Sequence, residues 1–261
     1  MADATTGKLH MYVPLYDAGS LGSPPTILHG LADAVTGPWD FTSLPNLSIV
    51  GENPAALVYT DPTSGELVYT LWVSSTVFAA ASPFGPFTSA GHFPGGNPAP
   101  IFHQGAFYMT NQVTGSIFTA PTLSSNWSIY ANISHASLPD KANFHVEDPF
   151  LWVDKRGNWH ILNHAYDNSQ FEGCVASSVS SHFFSTDGKL WDSSVQPYGH
   201  VVSYDDGTEH DYVTLERPNL FFDANGQMTH IHLAADLVTG NEGCANRTRH
   251  AHNGHTPCDN W

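Results

Sequence analysis

Four times along this chain a short apolar strand follows a proline, and each time it runs through a turn containing glycine into a second strand. Asn53-Pro54-Ala55-Ala56-Leu57-Val58-Tyr59 passes Asp61-Pro62-Thr63-Ser64-Gly65 into Glu66-Leu67-Val68-Tyr69. Asn97-Pro98-Ala99-Pro100-Ile101-Phe102 passes Gln104-Gly105 into Ala106-Phe107-Tyr108-Met109. Glu147-Asp148-Pro149-Phe150-Leu151-Trp152 passes Asp154-Lys155-Arg156-Gly157 into Asn158-Trp159-His160-Ile161. Glu216-Arg217-Pro218-Asn219-Leu220-Phe221-Phe222 passes Asp223-Ala224-Asn225-Gly226 into Gln227-Met228-Thr229-His230. The Asp-x-x-Gly and Gln-Gly punctuation is hairpin chemistry, with glycine supplying the positive φ that such turns need. The stretch Asp3 to Tyr12 matches the turn and second strand around Gly65, so the chain is expected to begin inside a fifth copy.

Spacings of 44, 50 and 69 residues between Asn53, Asn97, Glu147 and Glu216 suit four-stranded blades, with one long insertion near Tyr198 to Tyr212. Gly37-Pro38-Trp39-Asp40-Phe41 and Gly85-Pro86-Phe87-Thr88 are matching phrases in outer-strand positions, and Asp187-Gly188-Lys189-Leu190-Trp191 is a related one. No helical periodicity of useful length competes. A β-sandwich also uses many short strands, but it does not repeat an opening tripeptide. The expected fold is therefore all-β: a five-bladed β-propeller of four-stranded antiparallel blades over residues 1–240, its first blade incomplete at the N-terminus. A polar tail containing Cys and His occupies residues 241–261.

Composition narrows the partners. Twenty-four acidic side chains against 8 basic ones give a formal net charge of -16, which repels phosphate backbones and anionic membrane surfaces. No apolar run approaches the length of a membrane span. Neither nucleic acid nor a membrane is expected as a partner. Four sequons, at Asn46, Asn126, Asn132 and Asn246, and a candidate Cys244–Cys258 pair favour a secreted glycoprotein, with Cys174 left as a thiol. There is no phosphate-cradling glycine loop, dinucleotide fingerprint, serine elbow or HExxH motif.

In a propeller, equivalent positions of successive blades converge on one axis, so the residues before each repeated proline become neighbours. Asn53 and Asn97 are neutral; Glu147-Asp148 and Glu216-Arg217 are charged. Glycoside hydrolysis needs one carboxylic acid to protonate the leaving oxygen and a second carboxylate as base or nucleophile. Carboxylates that repel one another in an enclosed site push one proton affinity up, as an acid requires. Each of these groups has a structural role open to it as well: a strand-entry carboxylate can cap an amide, and Arg217 can simply neutralise an acid.

The phrase His145-Val146-Glu147-Asp148-Pro149-Phe150-Leu151-Trp152, continued by Gly157-Asn158-Trp159-His160 and Asn163-His164-Ala165, resembles the five-bladed propeller glycoside hydrolases related to family 43. So does Glu216-Arg217-Pro218-Asn219-Leu220-Phe221-Phe222-Asp223. The likeness spans roughly Leu9 to Leu237 and is nearest to the branch in which a Glu-Asp-Pro blade precedes a Glu-Arg-Pro blade. It implies a central funnel holding a sugar, and an inverting reaction that uses an Asp base, a Glu acid and an Asp that tunes the acid. Glu216 is the first choice for the acid, and Glu147 or Asp148 takes an acid or tuning role. Arg217 orients the acid or contacts the sugar. That family takes its base from the first blade opening; here Asp17, after the first visible inner strand, is the candidate. His145, His164 and His232 could line the funnel with Asn53 and Asn97 and bind hydroxyls. No cofactor is required, though an axial calcium or other ion is compatible with the family. His160 and His230 read as satisfied sheet histidines.

The leading functional reading is an exo-acting, inverting glycoside hydrolase, expected as a monomer because a closed propeller leaves few free edges. The alternative is a lectin-like propeller that binds carbohydrate and has lost hydrolysis. A protein-interaction propeller is a third reading, disfavoured by the clustered acidic openings.

Overall fold

The computed structural model describes residues 1, 3, 6–16, 24–44, 47–111, 115–133, 144–167, 179–194, 197–212, 214–223 and 225–236. Asp17, the three cysteines and the tail 241–261 lie outside the described residues. The architecture is all-β, assembled from successive antiparallel blades of the propeller kind. Two compact units divide the chain, Met1–Asn132 and Ile133–Trp261.

The first unit holds three sheets. β1 (Leu9–Leu15), β2 (Thr26–Ala32) and β3 (Leu47–Val50) form one; β4 (Ala55–Thr60), β5 (Leu67–Val73), β6 (Thr76–Ala80) and β7 (Thr88–His92) form the next. β8 (Ala99–His103), β9 (Ala106–Thr110), β10 (Ser116–Ala120) and β11 (Ser128–Asn132) complete the third. The first sheet repeats the second from its second strand onward. Asp3 and Gly7 close a turn with the same two backbone bonds, Asp3 N–H to Lys8 and Gly7 N–H to Asp3, that Asp61, Glu66 and Gly65 make. Two apolar clusters hold this unit together. Tyr12, Ile27, Ile49, Leu71 and Val73 fill one; Trp72, Val77, Phe93, Phe107, Met109, Phe118 and Leu123 fill the other.

In the second unit, β12 (Phe144–Val153), β13 (Trp159–Asp167), β14 (Val179–Ser185) and β15 (Asp192–Ser194) form a fourth sheet. β16 (Val201–Ser203) and β17 (Glu209–Asp211) make a hairpin within the long insertion expected from the spacing. β18 (Thr214–Phe222) and β19 (Met228–Asp236) are the described part of the fifth blade. The turns obey the repeated Asp-Gly punctuation. Asp154 and Asp223 each accept backbone N–H groups two and four residues ahead, at 2.8–2.9 Å, while Gly157 and Gly226 sit at φ +88° and +69°. Such side-chain caps make the turn local and leave the flanking strands to pair.

One device recurs in the first and fourth blades. His10 and His160 stand two residues beyond the closing residue of the Asp turn, each paired across the sheet to an apolar partner in the third strand of its blade. Nδ1 of His10 lies 2.7 Å from Nε2 of His29, and Nδ1 of His160 lies 3.0 Å from Nε2 of His182. The rings stack in both cases. His160 is a sheet histidine, as its position in the sequence suggested, with Nδ1 paired to His182 and Nε2 3.5 Å from Asp154 Oδ2. Its counterpart in the first blade was not legible before the strand register was known.

Candidate active site

All four repeated prolines follow a residue in the left-handed region: Asn53 at φ +51°, Asn97 at +48°, Asp148 at +51° and Arg217 at +53°. Asn and Asp tolerate that conformation; arginine seldom does, and a non-glycine residue held there stores strain. In the second and third blades the strand starts only after this residue, at Ala55 and Ala99. The fourth and fifth blades differ. There the first strand pairs on both sides of the turn, so that Glu147 faces His164 and Phe150 faces Leu162, while Glu216 faces Ala234 and Asn219 faces His232. Asp148-Pro149 and Arg217-Pro218 are therefore bulges, two residues opposing one, and a bulge re-aims the side chain it carries.

β12 packs against β18, and this packing brings the two bulges together. Arg217 Nη1 lies 3.4 Å from Asp148 Oδ1. The Asp148 side chain is 4% exposed and that of Arg217 25% exposed. Glu216 is buried on the same strand beside Arg217. From β13, buried His164 directs Nδ1 to within 3.5 Å of Glu147 Oε1. Three of the acids and bases named from the sequence, Glu147, Asp148 and His164, each place one ligand atom within 4.8 Å of the others.

The electrostatics of this cluster follow from its burial. Asp148 is pushed up to about 6, first by desolvation. Arg217 and His164 oppose the rise, and the neighbouring charges of Glu147 and Glu216 add to it. His164 loses solvation too, but the close approach of Glu147 and the charges of Glu216, Asp148 and Glu147 outweigh that loss and hold it above its ordinary value. A carboxylic acid that keeps its proton to about pH 6, between two cations and two carboxylates, is equipped to pass that proton on.

The remaining expected residues fall into separate places. Asn53 and Asn97 belong to the first unit, where they hold the same backbone position before β4 and β8; Asn97 is buried. His145 lies in β12 opposite Tyr166. His232 faces Asn219 rather than Glu216, and its ring rests against Phe221 at 4.7 Å. The residue of the fifth blade that corresponds to His164 is Ala234, so the His–Glu contact of the fourth blade has no repeat in the fifth. Asp17 lies outside the described residues.

Sequence reasoning missed Tyr198. It sits in the irregular stretch before β16, and its hydroxyl donates to the Leu215 carbonyl at 3.4 Å, next to Glu216. Its phenol is held above its ordinary range first by burial and then by the charges of Asp148 and Glu216. No local pattern marks it, because the residue reaches the cluster from an insertion and not from a repeat position.

No protein-family model matches the chain, and no curated protein is similar to it in sequence. Among solved structures, an endo-arabinase from Bacteroides thetaiotaomicron is 12% identical with a TM-score of 0.49, covering 93% of this chain and 98% of its own. An endo-1,4-beta-xylanase from the same organism is 12% identical at 0.48, covering 91% and 96%. A thermostable family-43 glycoside hydrolase is 12% identical at 0.49, covering 90% and 86%. The chemistry of this chain is to be read from its own residues.

Proposed function

We propose that this chain is a glycoside hydrolase that removes a terminal sugar with inversion, and that Glu216 is its general acid. The observation that carries the reading is the paired bulge. Two blade openings that elsewhere in the repeat hold Asn carry Asp148 and Arg217, each flanked by a glutamate, and the four groups gather in one largely buried cluster. The left-handed slot itself needs no charge, since Asn fills it twice. Asp148, with its raised proton affinity, fits the tuning role beside Glu216, and His164 holds Glu147 in place. Arg217 offers a half-shielded cation to a ring hydroxyl or a single anionic substituent.

Two elements of the proposal rest on the likeness of the Glu-Asp-Pro and Glu-Arg-Pro phrases to the family 43 group: the inverting outcome and the exo mode of attack. Asp17 is retained as the candidate base for its place after the first inner strand, a departure from that group, which takes its base from the first blade opening. The trio Glu147, Asp148 and His164 is compact enough for a cation. Calcium, however, favours six to eight oxygen ligands, and Arg217 already sets a positive charge 3.4 Å from Asp148. Proton transfer suits this donor set better than metal binding.

A panel of aryl and natural glycosides tests the proposal, with Glu216→Gln and Glu147→Gln alongside. Turnover by the wild type that falls at least a hundredfold in Glu216→Gln is expected, the range in which acid–base catalysis contributes. Saturable sugar binding without turnover in the wild type would favour the lectin-like reading instead.

A further inference from the structure

The insertion between the fourth and fifth blades does more than connect them. Ser180, buried in β14 directly across from His164, makes two bonds to one residue of that insertion. Its hydroxyl accepts from the Tyr198 N–H at 2.8 Å and donates to the Tyr198 carbonyl at 2.5 Å. A residue held at both its backbone groups by one side chain has little freedom, so the phenol ring is aimed from a fixed base. That ring crosses to the fifth blade, where the hydroxyl meets the carbonyl of Leu215, the residue before Glu216.

The chain of contacts therefore runs from β13 to β14, through Tyr198, to the bulge of β18. It joins the blade that carries Asp148 to the blade that carries Glu216 by a route independent of the Arg217–Asp148 ion pair. From this geometry, and resting on the hydrolase reading above for its catalytic consequence, we infer that Tyr198, anchored by Ser180, is a positioning residue that holds Glu216 against Asp148. Side-chain placement to within a fraction of an ångström governs how well an acid reaches the leaving oxygen. A brace on the backbone next to Glu216 acts on that placement without touching the substrate.

Tyr198→Phe removes the hydroxyl and keeps the ring; Ser180→Ala releases the anchor. Glycosides with an activated leaving group, such as dinitrophenolate, depart without a proton, whereas alkyl glycosides need one. Both variants should lose about tenfold in kcat on alkyl glycosides, a fraction of what a general acid supplies, and far less on dinitrophenyl glycosides, with KM little changed. Equal losses on both substrates, or none on either, would overturn the inference.

A second readout does not depend on turnover. In carbon-13 NMR titration of the carboxyl groups, Tyr198→Phe should lower the apparent Asp148 midpoint from about 6, because a Glu216 released from the brace raises it less. A midpoint unchanged in both variants, whose folding is checked by their amide spectra, would show that the brace does not exist. Absence of wild-type turnover would tell against the hydrolase reading alone, and the titration would still decide the role of Tyr198.

Discussion

Asp148 occupies a backbone slot in which two other repeats place Asn, so the cost of its charge can be isolated by a nearly isosteric change. Its folded proton affinity, about 6, lies above the ordinary carboxylate value of 3.8. The folded chain therefore binds more protons than the unfolded chain between those two pH values. The stability this group contributes is present below about pH 4 and is lost as the pH rises through 6. Asp148→Asn keeps the left-handed residue and abolishes the titration. Thermal or urea unfolding should show the variant more stable than wild type at pH 8, by about 1–3 kcal/mol at 1.36 kcal/mol per pKa unit. That advantage should shrink towards pH 4, while activity falls. A variant less stable at pH 8 would mean that the Arg217 pair outweighs desolvation. Arg217 shows the same tension in its backbone: arginine is an expensive choice at φ +53°, and strain of this kind concentrates where function requires it.

At the scale of the element, the histidine pairs give the first and fourth blades a common response to acid. Burial, then the charge of its partner, pushes His29 down to about 4 and His182 likewise. His10 and His160 are lowered as well, first by burial; Asp3 pulls the one back and Asp154 the other. For each group the unfolded chain binds more protons just below pH 6.5, and for His29 and His182 down to about 4, so the stability it contributes is full above 6.5 and declines as the pH falls. Differential scanning calorimetry should record a Tm lower by about 5 °C or more at pH 4.5 than at pH 7, a shift equal to about 1–2 kcal/mol in a chain of this size. The double variant His29→Gln, His182→Gln should flatten that slope; an unchanged slope would assign it to other groups. Asp148 runs the opposite way over the same interval, and comparing Asp148→Asn with the histidine double variant separates the two.

The strand order of these blades was legible because the signals are local. Pro marks each opening, Asp and Gly mark each turn, and both act through the backbone of a few neighbouring residues. The left-handed slot before each proline was not read from the sequence: Asn and Asp, which tolerate positive φ, fill three of the four, but arginine at the fourth carries no such signal. What could not be read depends on register or on distance. His10 meets His29, Glu216 faces Ala234 and not His232, and Tyr198 reaches Leu215 only once strands are paired and blades packed.

For the whole molecule, a repeat built on one backbone pattern carries different side chains in its two units. The first keeps neutral Asn in the slots of Asp148 and Arg217, preceded by Glu52 and Gly96, and the second gathers Glu147, Asp148, His164, Glu216 and Arg217. A net charge of -16 disfavours a polyanionic polymer as substrate, yet a single half-shielded arginine can still accept one anionic group on a terminal sugar. The described residues contain no helix long and apolar enough to cross a membrane. In the proposed function the acidic cluster of the second unit cleaves glycosidic bonds by acid catalysis at Glu216. Proton NMR of the first-formed product, followed in real time for the wild type and Glu216→Gln, tests it most directly. A free sugar with its anomeric configuration inverted is expected, released at least a hundredfold more slowly by the variant. Sugar released equally by both proteins would contradict it.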